Sequence, residues 1–175
     1  MDRVFFEQLA MPLFDQLYNH ACWLTADRAD AEDLVQETFA KALKGFASFA
    51  EGTNIRAWMF RILRNTFLTS RTGLAAQKTE YLEDEDGNAQ ESVADTLTPE
   101  LILMRSQNEQ ALFAALESLP VNNRQIILLC EVEEMSYREI AQVLDVPIGT
   151  VMSRLSRARN ALRTALGANV PEGVR

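Results

Sequence analysis

Residues 136–162 read SYREIAQVLDVPIGTVMSRLSRARNAL, and the fold is decided in this stretch. Ser136 and Glu139 have the spacing of a capping box, a pair that satisfies the first free amides of a helix. Ile140, Leu144, Val146 and Val151 supply apolar positions on either side of a short turn. Ala141 is small enough to let two helices cross closely. Asp145 falls in the turn, where a left-handed backbone is needed and aspartate tolerates it better than most residues. The spacing predicts a helix-turn-helix, with helices over about 136–144 and 148–166.

The second of these helices has two unlike faces. Val151, Leu155, Ala158 and Leu162 make an apolar stripe at steps of four, three and four. Ser153, Ser156, Arg157, Asn160 and Arg163 point away from it, and Arg154 and Arg159 flank it. A cationic face with short hydroxyl side chains suits a helix lying in a DNA major groove. Arginine neutralises phosphate or grips guanine with two hydrogen bonds, and serine lets the backbone approach closely. Gly149 and Thr150 add amide donors and a hydroxyl at the helix N-terminus. A merely solvated amphipathic helix would show the same arginines, but not the capped helix and turn before it.

This basic helix belongs to an acidic chain of net charge −8. The negative charge is concentrated. Residues 71–100 hold 2 basic and 8 acidic side chains, including the run EDED at 83–86, whereas residues 101–175 hold 8 of each. The segment 71–98 is polar and contains Gly87-Asn88, so it reads as a flexible acidic linker. Thr98-Pro99-Glu100 has the pattern of a helix start. The chain therefore divides into a lobe over 1–70, a linker over 71–98, a lobe over 99–168 and a tail over 169–175.

Both lobes read as helical, with no alternating strand pattern, so the expected fold class is all-α: two small helical domains joined by a flexible acidic linker. In the first lobe, Ala31, Leu34, Val35, Thr38, Phe39, Ala42 and Leu43 recur at helical spacing, and a second helix begins near Asn54. Further helices are expected over about 99–118 and 121–132. Cys22 and Cys130 are expected to be buried, reduced thiols. His20 and Cys22 are too few ligands for a metal site, and no cofactor is expected. No nucleophile–base pair, phosphate-binding loop or dinucleotide fingerprint occurs, which argues against an enzyme. No apolar run has the length of a membrane span, and the acids in MDRVFFEQLAMPLFDQL do not suit a signal peptide, so the expected location is cytoplasmic without membrane insertion.

Two runs in the first lobe carry further chemistry. In DAEDLVQETFAKALKGFASF, residues 30–49, Asp33, Gln36 and Glu37 share a polar face opposite the apolar stripe. In NIRAWMFRILRNTFLTSRT, residues 54–72, Trp58, Arg61 and Asn65 recur at steps of three and four, with Arg56 and Arg64 nearby. Rings that stack, arginines that hold phosphate and an amide that reads a base edge suit unpaired nucleic acid. Trp58 also fits simple core packing.

These two runs, followed by ESLPVNNRQIILLCEVEEMSYREIAQVLDVPIGTVMSRLSRARNAL, closely resemble the extracytoplasmic-function group of sigma-70-type sigma factors, over nearly the whole chain and in the right order. The resemblance implies a subunit that directs bacterial core RNA polymerase to promoters in a stress or signal response. It implies that Asp33, Gln36 and Glu37 dock on core polymerase, and that Trp58, Arg61, Arg64 and Asn65 bind the minus-10 element. Asn65 matches the position that reads a flipped-out base, and the loop at about 50–53 matches the specificity loop. It further implies that Gly149, Thr150, Met152, Ser153, Arg154, Ser156 and Arg157 face the minus-35 element. Met152 departs from relatives that carry a basic residue there. Promoter DNA and an inhibitory anti-sigma factor are the other implied partners, and the acidic linker would thread into the polymerase. The alternative is a conventional helix-turn-helix regulator that binds duplex DNA without polymerase.

Overall fold

A computed structural model describes residues 3–50, 52–72 and 107–169. Among these residues every regular element is helical. The first lobe begins with α1 (Arg3–Ala10), which Pro12 ends by opening a short 3-10 turn, Met11–Leu13. Next come α2 (Phe14–Thr25), α3 (Arg28–Gly45), a second 3-10 turn (Phe46–Ser48) and α4 (Ile55–Thr72). Ala26 closes α2 in the left-handed conformation, φ 54°, and the Asp27 carboxylate then caps α3 by accepting from the Asp30 amide at 2.9 Å.

The core of this lobe follows the helical pattern. Leu17, Ala21 and Leu24 of α2 meet Ala31, Leu34, Val35 and Ala42 of α3 and Met59, Phe60, Leu63 and Phe67 of α4. Leu43 is a correction to the expected stripe: it stands 40% exposed. At about 100° per residue it lies roughly a third of a turn from the stripe's centre. Phe39, nearer the edge, is half-buried.

The second lobe comprises α5 (Gln107–Ser118), α6 (Val121–Ile127), a π-helical turn (Leu128–Val132), α7 (Tyr137–Leu144) and α8 (Ile148–Asn169). The helix expected over 121–132 is thus α-helical only to Ile127. Beyond it the hydrogen bonds lengthen in register, from the Glu133 amide to Leu128 and from the Met135 amide to Leu129, both at 3.0 Å. The capping box is present: the Glu139 amide donates to Ser136 Oγ at 3.2 Å, and the Ser136 amide donates to the Glu139 carboxylate at 2.8 Å. Asp145 closes α7 at φ 56°, ψ 49°, as its place in the turn requires. Val151, Leu155 and Ala158 are buried beneath α8, with Leu162 half-buried.

Several boundaries differ from expectation. Arg71 and Thr72, assigned to the linker, complete α4, and α8 extends to Asn169. The remainder of the linker, including 83–86, and the helix start at Thr98 lie outside the described residues. Cys22 and Cys130 are free thiols, as expected, but half-buried rather than buried; burial raises both above the ordinary thiol value.

The lobes pack together, α2 and α4 against α6 and α7. At the centre of the junction is Glu133, with 7% of its surface exposed. One of its carboxylate oxygens lies 3.5 Å from the Arg56 guanidinium and the other 3.9 Å from His20 Nδ1. Arg56 also donates to the Glu133 carbonyl and, at 3.0 Å, to Gln16 of α2. His20 is buried against the edge of Phe60, ring centres 5.2 Å apart, and its Nδ1 has no hydrogen-bond partner. Burial outweighs the nearby carboxylate and pushes His20 down to about 3. Burial pushes Glu133 up, and Arg56 offsets part of that.

These features give two expected outcomes. Ser136→Ala removes half of the capping box and lowers stability by about 1 kcal/mol, read from the urea midpoint. His20 is held neutral in the folded chain but returns toward its ordinary 6.5 when exposed, so its contribution is intact above pH 6.5 and is lost as pH falls toward 3. Between pH 7 and 5 this costs about 2 kcal/mol, and His20→Gln flattens that slope in urea titrations at several pH values. Glu133 acts with opposite sign, favouring the packed form below the ordinary carboxylate value and less so as pH rises through its raised one. Its window begins at the acid end of the same titration.

Candidate nucleic-acid interface

Helix α8 is amphipathic because its buried stripe is only one residue wide per turn, which leaves most of its circumference to solvent. Gly149, Met152, Ser153, Ser156 and Arg157 are exposed, while Thr150 and Arg154 are partly covered. All seven expected residues therefore fall on the first three turns, clear of the core. Met152 presents the largest apolar surface of the set, 55% exposed. Ser153 Oγ donates to the Thr150 carbonyl at 3.1 Å, which fixes its rotamer and leaves its lone pairs outward. A Cβ on Gly149 would meet nothing within 4 Å, so the approach to the helix N-terminus is open. Arg159 donates to Glu131 at 2.6 and 3.0 Å and so fastens α8 to the π-helical turn.

Helix α4 carries Arg56, Arg61, Arg64 and Arg71 and no acid. The Asn54 side chain sets its start, accepting from the Ala57 amide at 3.2 Å. Trp58, Arg61 and Asn65 share one face, with Arg64 about a quarter turn round it. Asn65 is exposed. Trp58 is half-buried, its ring 5.1 Å from Phe49 and 6.4 Å from Phe46, so it packs against the segment entering α4.

Three of these arginines, Arg56, Arg61 and Arg64, are engaged across the junction. Arg61 lies 3.3 Å from the Asp145 carboxylate, and Arg64 Nε donates to Gln125 at 3.2 Å. Asn54 donates to Glu139 at 2.7 Å. Backbone and Asn54 hydrogen bonds hold the Glu139 carboxyl below its ordinary value. Each of these partners is distant in sequence from the residue it meets, the nearest pair being 61 positions apart, and none was expected as part of the site. A carboxylate inside the apolar run ILLCEVEEM was the one signal available for Glu133.

On α3, Asp33, Gln36 and Glu37 are all exposed and oppose the buried stripe. Glu37 pairs with Lys41 one turn on, at 2.8 Å. The result is an acidic, amide-bearing ridge on the first lobe. Among the described residues no group of three or more His, Cys, Asp or Glu side chains is arranged to hold a metal, and no helix is long and apolar enough to cross a membrane.

Residues 9–76 match the family model for sigma-70 region 2, and residues 109–162 match that for sigma-70 region 4. The chain is 32% identical over 167 residues to the ECF RNA polymerase sigma-E factor of Escherichia coli strain K12, covering 89% of this chain and 86% of that one. It is 35% identical over 174 residues to the ECF RNA polymerase sigma factor SigE of Mycolicibacterium smegmatis, covering 95% of this chain; it spans 66% of that relative's length. Among solved structures it resembles the sigma factor RpoE from Bartonella quintana, solved in complex with the anti-sigma factor NepR. The TM-score is 0.69 at 34% identity, with 94% of this chain and 98% of that one covered. It also resembles CnrH, solved in complex with the cytosolic domain of CnrY, with TM-score 0.67, 26% identity, and 97% and 92% covered. A region 2 lobe followed by a region 4 lobe, with about a third of residues identical across most of the length of sigma-E, places this chain among the ECF RNA polymerase sigma factors.

Proposed function

We propose that this chain directs bacterial core RNA polymerase to specific promoters in a stress or signal response. The observation that carries the reading is the pairing on one chain of a duplex-reading helix, α8, with an arginine- and asparagine-bearing helix, α4, in sigma-family order. The lobe over 1–70 holds polymerase and the minus-10 element, and the lobe over 99–168 reads the minus-35 element. Asp33, Gln36 and Glu37 give an acidic ridge for a basic surface on core polymerase. Asn65 reads an unpaired base, with Arg61 and Arg64 on the flanking phosphates. Trp58, packed on Phe46 and Phe49, steadies the start of the same helix and offers its remaining surface to the minus-10 element. Gly149, Thr150, Met152, Ser153, Arg154, Ser156 and Arg157 meet the minus-35 duplex, Met152 against a thymine methyl.

Sigma factors are transcription initiation factors, and on this reading the chain has no chemistry of its own; polymerase catalyses. It works in the cytoplasm with the polymerase. Each lobe binds weakly, and holding both promoter elements at once supplies the affinity. An anti-sigma factor is the expected inhibitor: RpoE of Bartonella quintana is seen with one.

Run-off transcription with sigma-free core polymerase and upstream genomic fragments tests the reading directly. Discrete transcripts that vanish without this chain are expected. Specific duplex binding with neither transcripts nor core binding would instead identify a polymerase-independent regulator. In the same assay Asn65→Ala impairs promoter opening, read by permanganate reactivity, more than it impairs core binding. Arg157→Ala weakens minus-35 recognition by about 1–3 kcal/mol if it grips a base with two hydrogen bonds.

A further inference from the structure

Histidine occurs once in the chain, at position 20, and it stands in the junction between the lobes. The residue is 3% exposed, on α2, with its ring edge-on to Phe60 of α4. Its Nδ1 faces the second lobe, 3.9 Å from a Glu133 carboxylate oxygen, which is too far for a hydrogen bond. Among the described residues this nitrogen has no hydrogen-bond partner. A buried polar atom left unpaired disfavours the packed form, and parting of the lobes gives Nδ1 water.

Few charges face the ring. Glu133 comes from the turn after the π-helix and Arg56 from α4, and the two pair at 3.5 Å. Glu139 of α7 acts on Arg56 from further out. Arg124 of α6 is also buried, but the charges it feels are Glu117 and Arg71. The 3-10 turn before α2 has no titratable side chain, and no charged group of α3 shifts His20. With His20 neutral, the buried pair of Arg56 and Glu133 sums to zero. A proton on Nδ1 leaves a net positive charge where water is excluded, because Glu133 already answers Arg56.

We propose that His20 is a proton sensor built into the lobe junction: uptake of a proton at Nδ1 parts the second lobe from the first while each lobe stays folded, so the chain opens as pH falls below neutrality. Histidine at an interface is suited to this, since its charge changes near neutral pH once the ring meets water. Each lobe keeps apolar residues of its own, Leu17, Val35 and Leu63 in the first and Ile140, Val151 and Leu155 in the second. Burial lowers His20 to about 3 in the packed chain, and exposure returns it to 6.5. Packing is therefore undiminished above 6.5 and weakens as pH falls below it. From pH 7.5 to 5.5, one such proton raises the ratio of open to packed chain about tenfold. Glu133 opposes this: burial raises its carboxyl, so its own protonation favours the packed form and trims the response.

The test uses the full chain with carbon-13 in its imidazole, so that the one histidine gives one NMR signal, titrated from pH 7.5 to 5.0. Beside it run the radius of gyration, from X-ray scattering on a size-exclusion column, and helix content, from circular dichroism. The imidazole signal is expected to titrate with a midpoint between about 5 and 6.5, and the radius to rise at that midpoint with helix content unchanged. His20→Gln and His20→Phe stay neutral throughout and are expected to hold a constant radius; either serves if the other folds poorly. Glu133→Gln removes the opposing proton site, keeps an acceptor for Arg56, and is expected to move the midpoint upward. Proton uptake without a rise in radius overturns the proposal, as does a rise that persists in the folded His20 variants. So do loss of helix at the same midpoint, a downward shift in Glu133→Gln, and a His20 signal that does not move by pH 5.0.

Discussion

Burial of one carboxylate organises the molecule. Glu133 enters the junction between Arg56 and His20, where water is excluded and an unpaired charge is costly. Its partner Arg56 lies on α4 and also holds Gln16 of α2, so satisfying it fixes where the second lobe sits on the first. The outer contacts, Arg61 with Asp145 and Asn54 with Glu139, fall into line from that point. Apolar packing continues across the same junction, but it is non-directional and does not by itself select a register. The buried polar bonds do.

Helix α4 serves both lobes. Its apolar stripe, Met59, Leu63 and Phe67, completes the first lobe, and Arg56, Arg61 and Arg64 reach the second. A cationic helix without acids of its own finds acids elsewhere, and the second lobe provides them. The acidic ridge of α3, with Asp33, Gln36 and Glu37, faces solvent and lies clear of the junction.

Much of the fold was legible because its determinants are local. The Ser136–Glu139 capping box, the left-handed Asp145 and the stripe under α8 each depend on residues within a few positions of one another, and each is present. The division of α1 from α2 was not legible in VFFEQLAMPLFDQL, where apolar residues run through Pro12 without a clear change of period. Leu43 was misplaced because a stripe drawn at steps of three and four drifts round the helix. The π-helical turn leaves no compositional mark. Least legible were the contacts of Arg56 with Glu133 and Asn54 with Glu139, which join residues 77 and 85 positions apart. No periodicity in a single sequence encodes such a pairing. The exposed residues expected on α8 and α3 were legible as faces, since amphipathic spacing defines which side of a helix is left to solvent.

The π-helical turn has a consequence for how this chain tolerates change. Widening the helix over Leu128–Val132 accommodates an extra residue in the turn, and one residue is worth about 100° of rotation. That phase aims Glu133 at the first lobe. Removing one residue there would swing the carboxylate out of the junction even if every side chain were kept, whereas exchanging apolar residues within the turn would leave its direction intact. Chain length in this turn is therefore under tighter geometric constraint than composition, so insertions and deletions, more than substitutions, would set the two lobes at a different angle.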